Sequence, residues 1–197
     1  MSFIEQLANR RSIYALGKNV ELSESEISEL IQKAIQLSPS AFNSQSSRAV
    51  ILFNEFHTQF WNIIYKALEK LVPEDKIIST LKRMNSFSAG KGTVLFYEDQ
   101  KVIRDLEEKY ALYSENFKTW SEHSTAMAQL AVWTALSEKK IGASLQHYNP
   151  IADEEIAKAF DVPTHWKLCS QLVFGSIENL PSEKSITVDN TRFKVML

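Results

Sequence analysis

The chain has 197 residues, 44% hydrophobic and 23% charged, ordinary proportions for a globular protein and enough length to bury one sizeable core. Its net charge of −2 offers no long-range field to draw in nucleic acid, and no apolar run approaches the ~18 residues of a membrane-spanning helix. With a single cysteine, Cys169, an intramolecular disulfide framework is excluded, and MSFIEQLANRR at the N-terminus lacks the basic-then-apolar layout of a secretory signal. These features predict one cytoplasmic domain over 1–197.

In chain order, Ser2 with Glu5 and Ser23 with Glu26 have the capping-box spacing of helix starts. From Ser23 the residues Ile27, Leu30, Ile31, Ala34 and Ile35 recur at helical spacing until Pro39 closes the run. A loop dense in hydroxyls and amides follows, from Ser38 through Asn43 and Gln45 to Arg48. Such groups serve either the loop's own backbone or a ligand. AVILF, Ala49 to Phe53, then reads as a strand covered on both faces. Phe56, Phe60, Ile63, Ile64, Ala67 and Leu71 mark a helix ending at Pro73, and another fills Glu74 to Met84. TVLFY, Thr93 to Tyr97, is a second strand, followed by a charged surface helix over Asp99 to Tyr113.

Thr119 and Glu122 repeat the capping pattern at the head of a helix running to Lys140. This helix is apolar around most of its circumference and so belongs in a core or at a subunit interface. Gly142 is placed to supply its left-handed cap. ASLQHY follows as a short strand, Asp153 to Phe160 as a helix, and Lys167 to Ile177 as a fourth strand. Strands alternating with helices predict a sheet with helices on both faces. The tail from Leu180 to Leu197 has no helical period, which suggests docking on another surface or fraying.

Five glycines, at 17, 90, 92, 142 and 175, cannot compose a Gly-rich nucleotide fingerprint, so any phosphate must be held by side chains. Arg10, Arg11 and Ser12 after the first helix, and Arg192 with Lys194 in the tail, are the two cationic groups suited to this. Taken alone, either cluster reads as cations solvating a helix end or a terminus. Histidines 57, 123, 147 and 165 are scattered, and no metal site is expected. Cys169, followed by Leu and Val in a strand, reads as a small core residue. Trp120, Trp133, Tyr110 and Tyr113 read as core or interface. In GASLQHYNP a strand end runs into Gln146, His147 and Tyr148, where ligands often sit in such sheets, and a helix cap followed by a turn before Pro150 accounts for the stretch equally well.

RRSIYAL, SPSAFNSQSSRAVIL, GASLQHYNP and TRFKV, in that order and spacing, resemble the nitroreductase family of flavoproteins over nearly the whole chain. NSQSSR and LQHYN are closest to its short fatty-acid-repression-mutant branch. Larger nitroreductases have Pro-Trp after the glutamine, where Ser46 and Ser47 stand here. The resemblance implies an α+β, three-layer α-β-α fold with a central mixed sheet flanked by helices, and a homodimer that exchanges the arm at 180–197. It further implies FMN as cofactor, with two sites at the subunit interface. By similarity Arg10, Arg11, Ser12, Arg192 and Lys194 would meet the FMN phosphate. Pro39, Ser40, Ala41 and Asn43 would come from the partner subunit, Gln45 would contact the flavin side, and Gln146, His147 and Tyr148 would line the ring. NADH or NADPH would deliver hydride to flavin N5, and a nitroaromatic, quinone or similar oxidant would then take its place in a ping-pong cycle, in oxidative or chemical stress defence. The flavin would carry the chemistry, so no protein acid or base is named. A flavin-binding regulatory or sensing protein with little turnover is the alternative, and a cofactor-free structural protein stands third.

Overall fold

The computed structural model describes residues 2–185, 187, 189 and 191–197. Positions 186, 188 and 190 of the expected arm lie outside the described residues. Among the described residues there are seven α-helices and five strands: α1 (Phe3–Asn9), β1 (Leu16–Gly17), α2 (Glu24–Gln36), β2 (Ser47–Phe53), α3 (Asn54–Glu69), α4 (Glu74–Ser88), β3 (Gly92–Asp99), α5 (Gln100–Lys109), α6 (Ser114–Glu138), β4 (Gly142–Gln146), α7 (Asp153–Ala159) and β5 (Trp166–Ile177). None of these helices is long and apolar enough to cross a membrane.

Two capping boxes form as the spacing predicts, with the Ser2 and Ser23 hydroxyls accepting from the Glu5 and Glu26 amides while each glutamate reaches back to the cap. The third does not. α6 starts at Ser114, directly after a 3-10 turn over Ala111–Tyr113, so Thr119 and Glu122 lie inside the helix. A Thr-x-x-Glu pair is compatible with either place, and chain continuity decides. At the other end the left-handed residue is Lys140, at φ 58°, and no glycine has positive φ. Gly142 serves close packing instead. A Cβ there would lie 2.9 to 3.0 Å from the Ile177 and Ile13 side chains, so its bareness lets neighbouring segments close on β4.

The sheet has the order β1-β5-β3-β2, with β4 also on β5. All of its ladders are antiparallel. Its mixed character is confined to one parallel bridge, Ser12 with Ala143. A single crossover helix would favour parallel strands. Here α3 and α4 in series carry the chain back and forward again, so β3 starts at the end of the sheet where β2 finishes, with Gly92 paired to Phe53, and runs antiparallel to it. β1 is the strand that the sequence reading missed, because two residues give no periodic signal.

Alternate residues of the strands feed two cores. Leu52, Leu95, Tyr97, Leu168 and Val173 pack against Phe60, Trp61 and Ile64 of α3, Met84 and Phe87 of α4, and Ile156 of α7. Val94, Phe96, Leu172 and Phe174 pack against Ile27 and Ile31 of α2 and Val132 and Leu136 of α6. This is the three-layer arrangement expected. β2 is covered on both faces, with Val50 toward the first core and Ala49, Ile51 and Phe53 toward the second, but pairs on one side only, so it is half-buried. The strand buried throughout is β3.

Candidate active site

After α1 the chain is extended, and Ile13 N–H donates to the Ala143 carbonyl at 2.9 Å beside the Ser12 bridge. This pairing lays Arg10, Arg11 and Ser12 alongside β4, whose far end carries Gln146, His147 and Tyr148. The Arg10 guanidinium stands 4.2 Å from the centre of the Trp133 ring on α6, a cation–π contact. Burial, and then the like charge of Arg11, lowers its pKa from the ordinary arginine value, yet a guanidinium remains cationic in proteins. Arg11 donates to the Ser182 carbonyl at 2.8 Å, tying the start of the C-terminal tail to the same place.

The three residues at the end of β4 diverge. Gln146 donates to the Ser144 hydroxyl at 3.2 Å, and His147 is exposed. Tyr148 N–H donates to Gln171 at 2.8 Å, while its ring meets Trp61 and Phe87 edge-on, with centroids 5.9 and 6.1 Å away. Burial raises the Tyr148 phenol pKa, and nearby Arg83 opposes that.

Much of the polar loop is used internally. Ser38 donates to the Ala34 carbonyl at 2.8 Å, the Ser40 hydroxyl accepts from Gln45 N–H at 2.9 Å, and Ala41 N–H donates to Ser124 of α6 at 3.3 Å. Phe42, Asn43 and Gln45 take φ of 55°, 51° and 48°, strained for a residue as bulky as Phe42. What holds Phe42 there is a ring cluster, with Tyr110, Phe117 and Trp120 centroids at 4.7, 5.4 and 6.1 Å. The aromatic residues expected in a core or interface thus anchor the loop. Pro39, Ser40, Gln45 and Ser124 line a cleft of about 200 Å³. The Asn43 side chain makes no hydrogen bond among the described residues.

Beneath the loop, Arg48 pairs with Asp99 at 2.9 Å and holds the Gln45 carbonyl at 2.6 Å. Ser47 donates to Glu98 Oε1 at 2.6 Å, and Thr125 donates to the same oxygen. Glu98 is 1% exposed, and its Oε2 has no partner among the described residues. Sequence reading missed Glu98, Asp99, Ser124, Thr125 and Arg83 as site residues, and read Trp133 only as core or interface, not as the platform for Arg10. The one available signal was the acidic pair ending the apolar run GTVLFYED.

The predicted residues do not all converge within one chain. The loop meets α6 at Ser124 and Arg10 meets it at Trp133, nine residues on and about 14 Å along the axis. Arg192 and Lys194 are exposed; Arg192 N–H bonds the Asp189 carbonyl, and its guanidinium lies 5.6 Å from the Phe193 ring. Neither contacts Arg10 or Arg11 in this chain. His165 and Cys169 go separate ways, toward Asp99 at 3.7 Å and the Lys167 carbonyl at 3.4 Å. Cys169 is half-buried rather than deep in the core.

Residues 7–176 match the family model described as the nitroreductase family. The nitroreductase FRM2 of Saccharomyces cerevisiae is 32% identical over 187 residues, covering 93% of this chain and 92% of its own. The nitroreductase CinD of Lactococcus lactis, solved in complex with chloramphenicol, superposes with a TM-score of 0.91 at 44% identity over 99% of this chain and 100% of its own. A nitroreductase of Desulfitobacterium hafniense with bound FMN superposes with a TM-score of 0.71 at 14% identity, over 98% of this chain and 97% of its own, a likeness of fold.

Proposed function

The chain belongs to the nitroreductase family, a family of oxidoreductases, and we propose that it is an FMN-dependent NAD(P)H oxidoreductase that reduces nitroaromatics, quinones or similar oxidants as a homodimer. The observation that carries this is the Ser12–Ala143 bridge, which puts the arginine pair and the Gln146–Tyr148 strand end on one edge of the sheet. The FMN bound to the Desulfitobacterium relative and the chloramphenicol bound to CinD agree in cofactor and in acceptor chemistry.

The donor set suits FMN. Arg10 and Arg11 offer two planar forks for a phosphate, with the Ser12 hydroxyl beside them. Trp133 holds the first fork by cation–π contact, and the Ser182 carbonyl orients the second. When bound, FMN supplies hydride acceptance from NAD(P)H and donation to the oxidant. Gln146 and His147 present polar groups along one edge of the site. Pro39, Ser40, Ala41, Asn43 and Gln45, about 14 Å along α6 from Arg10 in the same chain, serve the site of the partner subunit, and Phe42 with its ring cluster keeps them in place. Arg192 and Lys194 reach the partner's phosphate group through the extended arm. Exposed apolar side chains on α1 and α6, Phe3 at 67%, Ile4 at 71%, Met127 at 40% and Leu130 at 41%, are suited to an apolar subunit interface.

The test is the visible spectrum of the purified protein, identification of the pigment released on denaturation, and steady-state NAD(P)H oxidation with a nitroaromatic or quinone. About one FMN per chain and turnover well above free FMN are expected. Bound flavin without acceleration would favour the regulatory reading, and colourless protein that takes up no FMN would refute the cofactor.

A further inference from the structure

Between the end of α3 and the outer face of α4 lies a groove of about 320 Å³ that none of the residues carrying the family resemblance enters, except Tyr148. Lys76, Thr80 and Arg83 line it from α4, at i, i+4 and i+7, so they share one face over about 10 Å. Leu68 and Val72 supply an apolar wall, and Tyr148 closes the end nearest β4. Arg83 forms no ion pair among the described residues, and shares the groove lining with Tyr148. Lys76 has Asp75 at 3.4 Å, but both are largely exposed, at 64% and 71%, so that pair is weak and leaves the ammonium available. The groove therefore offers two cations two helical turns apart, a hydroxyl between them and an apolar wall, next to a residue of the candidate flavin site.

We propose that this groove binds the phosphate-bearing half of the reduced nicotinamide dinucleotide, with Arg83 on the pyrophosphate, Lys76 on a 2′-phosphate, and adenine against Leu68 and Val72. A small anion such as inorganic phosphate would engage one cation and leave the wall bare, whereas two anionic centres separated by a sugar match the spacing. Tyr148 sets the direction, since the nicotinamide end then lies toward the β4 end and the candidate ring face. The assignment rests on the oxidoreductase reading above and makes NADPH the preferred donor.

Calorimetric titration of the purified full-length protein with 2′-phospho-ADP-ribose, which has no redox chemistry, is the direct test. Arg83→Ala and Lys76→Ala should each weaken binding about tenfold or more, as loss of a charged hydrogen bond to phosphate implies. Lys76→Ala should weaken plain ADP-ribose much less than Arg83→Ala does. Tyr148→Phe keeps the ring and removes only the hydroxyl near Arg83, so its loss of 2′-phospho-ADP-ribose binding should be clearly smaller than that of Arg83→Ala. Equal binding by wild type and both cation variants would overturn the proposal, as would a Tyr148→Phe loss equal to that of Arg83→Ala, which would mean that Arg83 acts through Tyr148. A phosphate-free donor, 1-benzyl-1,4-dihydronicotinamide, separates the two readings. Flavin-containing protein that oxidises it but does not bind 2′-phospho-ADP-ribose refutes the groove alone, while protein without flavin that oxidises neither donor refutes the oxidoreductase reading itself.

Discussion

Phe42 gives a prediction whose sign is opposite to the usual one. Replacing it by Ala deletes a ring that is 49% exposed, so roughly 100 Å² of apolar contact is lost, worth about 2.5 kcal/mol at ~25 cal/mol per Å². Replacing it by Gly deletes the same contact but also relieves the left-handed backbone at φ 55°, ψ 22°, worth roughly 1–2 kcal/mol. The greater freedom of glycine in the unfolded chain returns about 0.4–1 kcal/mol of that. Phe42→Gly should therefore be more stable than Phe42→Ala by about 0.5–1 kcal/mol, although glycine is ordinarily the worse substitute. At this chain length the gap is roughly 1–4 °C in Tm. Urea and thermal unfolding of both variants at one protein concentration measure it. Phe42→Ala equal to or more stable than Phe42→Gly would refute the claim that the ring cluster holds a strained loop. Because the loop is proposed to serve the partner's flavin, both variants should also lose FMN on dilution more readily than wild type.

Arg10→Ala combined with Arg192→Ala should weaken FMN binding at least a hundredfold, from about 1.5–3 kcal/mol per charged hydrogen bond, and should raise the monomer fraction in sedimentation velocity; full flavin occupancy in the double variant would remove both residues from the phosphate site. His57 is held down to about 4 by burial, below its unfolded value of about 6.5, so the unfolded chain binds the extra proton. This contribution to stability is complete above pH 6.5, is lost as pH falls toward 4, and is constant below, with a slope of up to about 1.4 kcal/mol per pH unit. Denaturation midpoints of His57→Gln across that range should fall less steeply with acid than those of wild type. Burial, and then the Glu98 charge, pushes the Cys169 thiol up to about 11, so alkylation by iodoacetamide at pH 8 should run about a hundredfold slower than for free cysteine; a rate near that of free cysteine would contradict its placement.

Legibility followed the range of the interaction. Ser2, Ser23 and the apolar spacing of α2 and α3 announced themselves because capping and helical amphipathicity involve residues three and four apart. Thr119 misled because the same local pattern occurs inside α6, and Lys140 took the turn expected of Gly142 because chain direction at a helix end answers to what packs beyond it. Arg10, Arg11, Ser12 and the 146–148 stretch were recognisable as pieces. Their adjacency was not, since it depends on a bridge between positions 12 and 143.

By itself, then, the sequence determined helix identity, strand cores, family membership and the chemical types available for a phosphate and a ring, all of which rest on neighbours in the chain. Only the tertiary structure decided the antiparallel pairing, the Glu98 and Asp99 carboxylates beneath the loop, the aromatic support of Phe42, and the distance along α6 between the loop and Arg10. Each of these depends on how two elements far apart in sequence meet. Their contact energy is set by packing geometry, and residue order alone does not encode that geometry at short range.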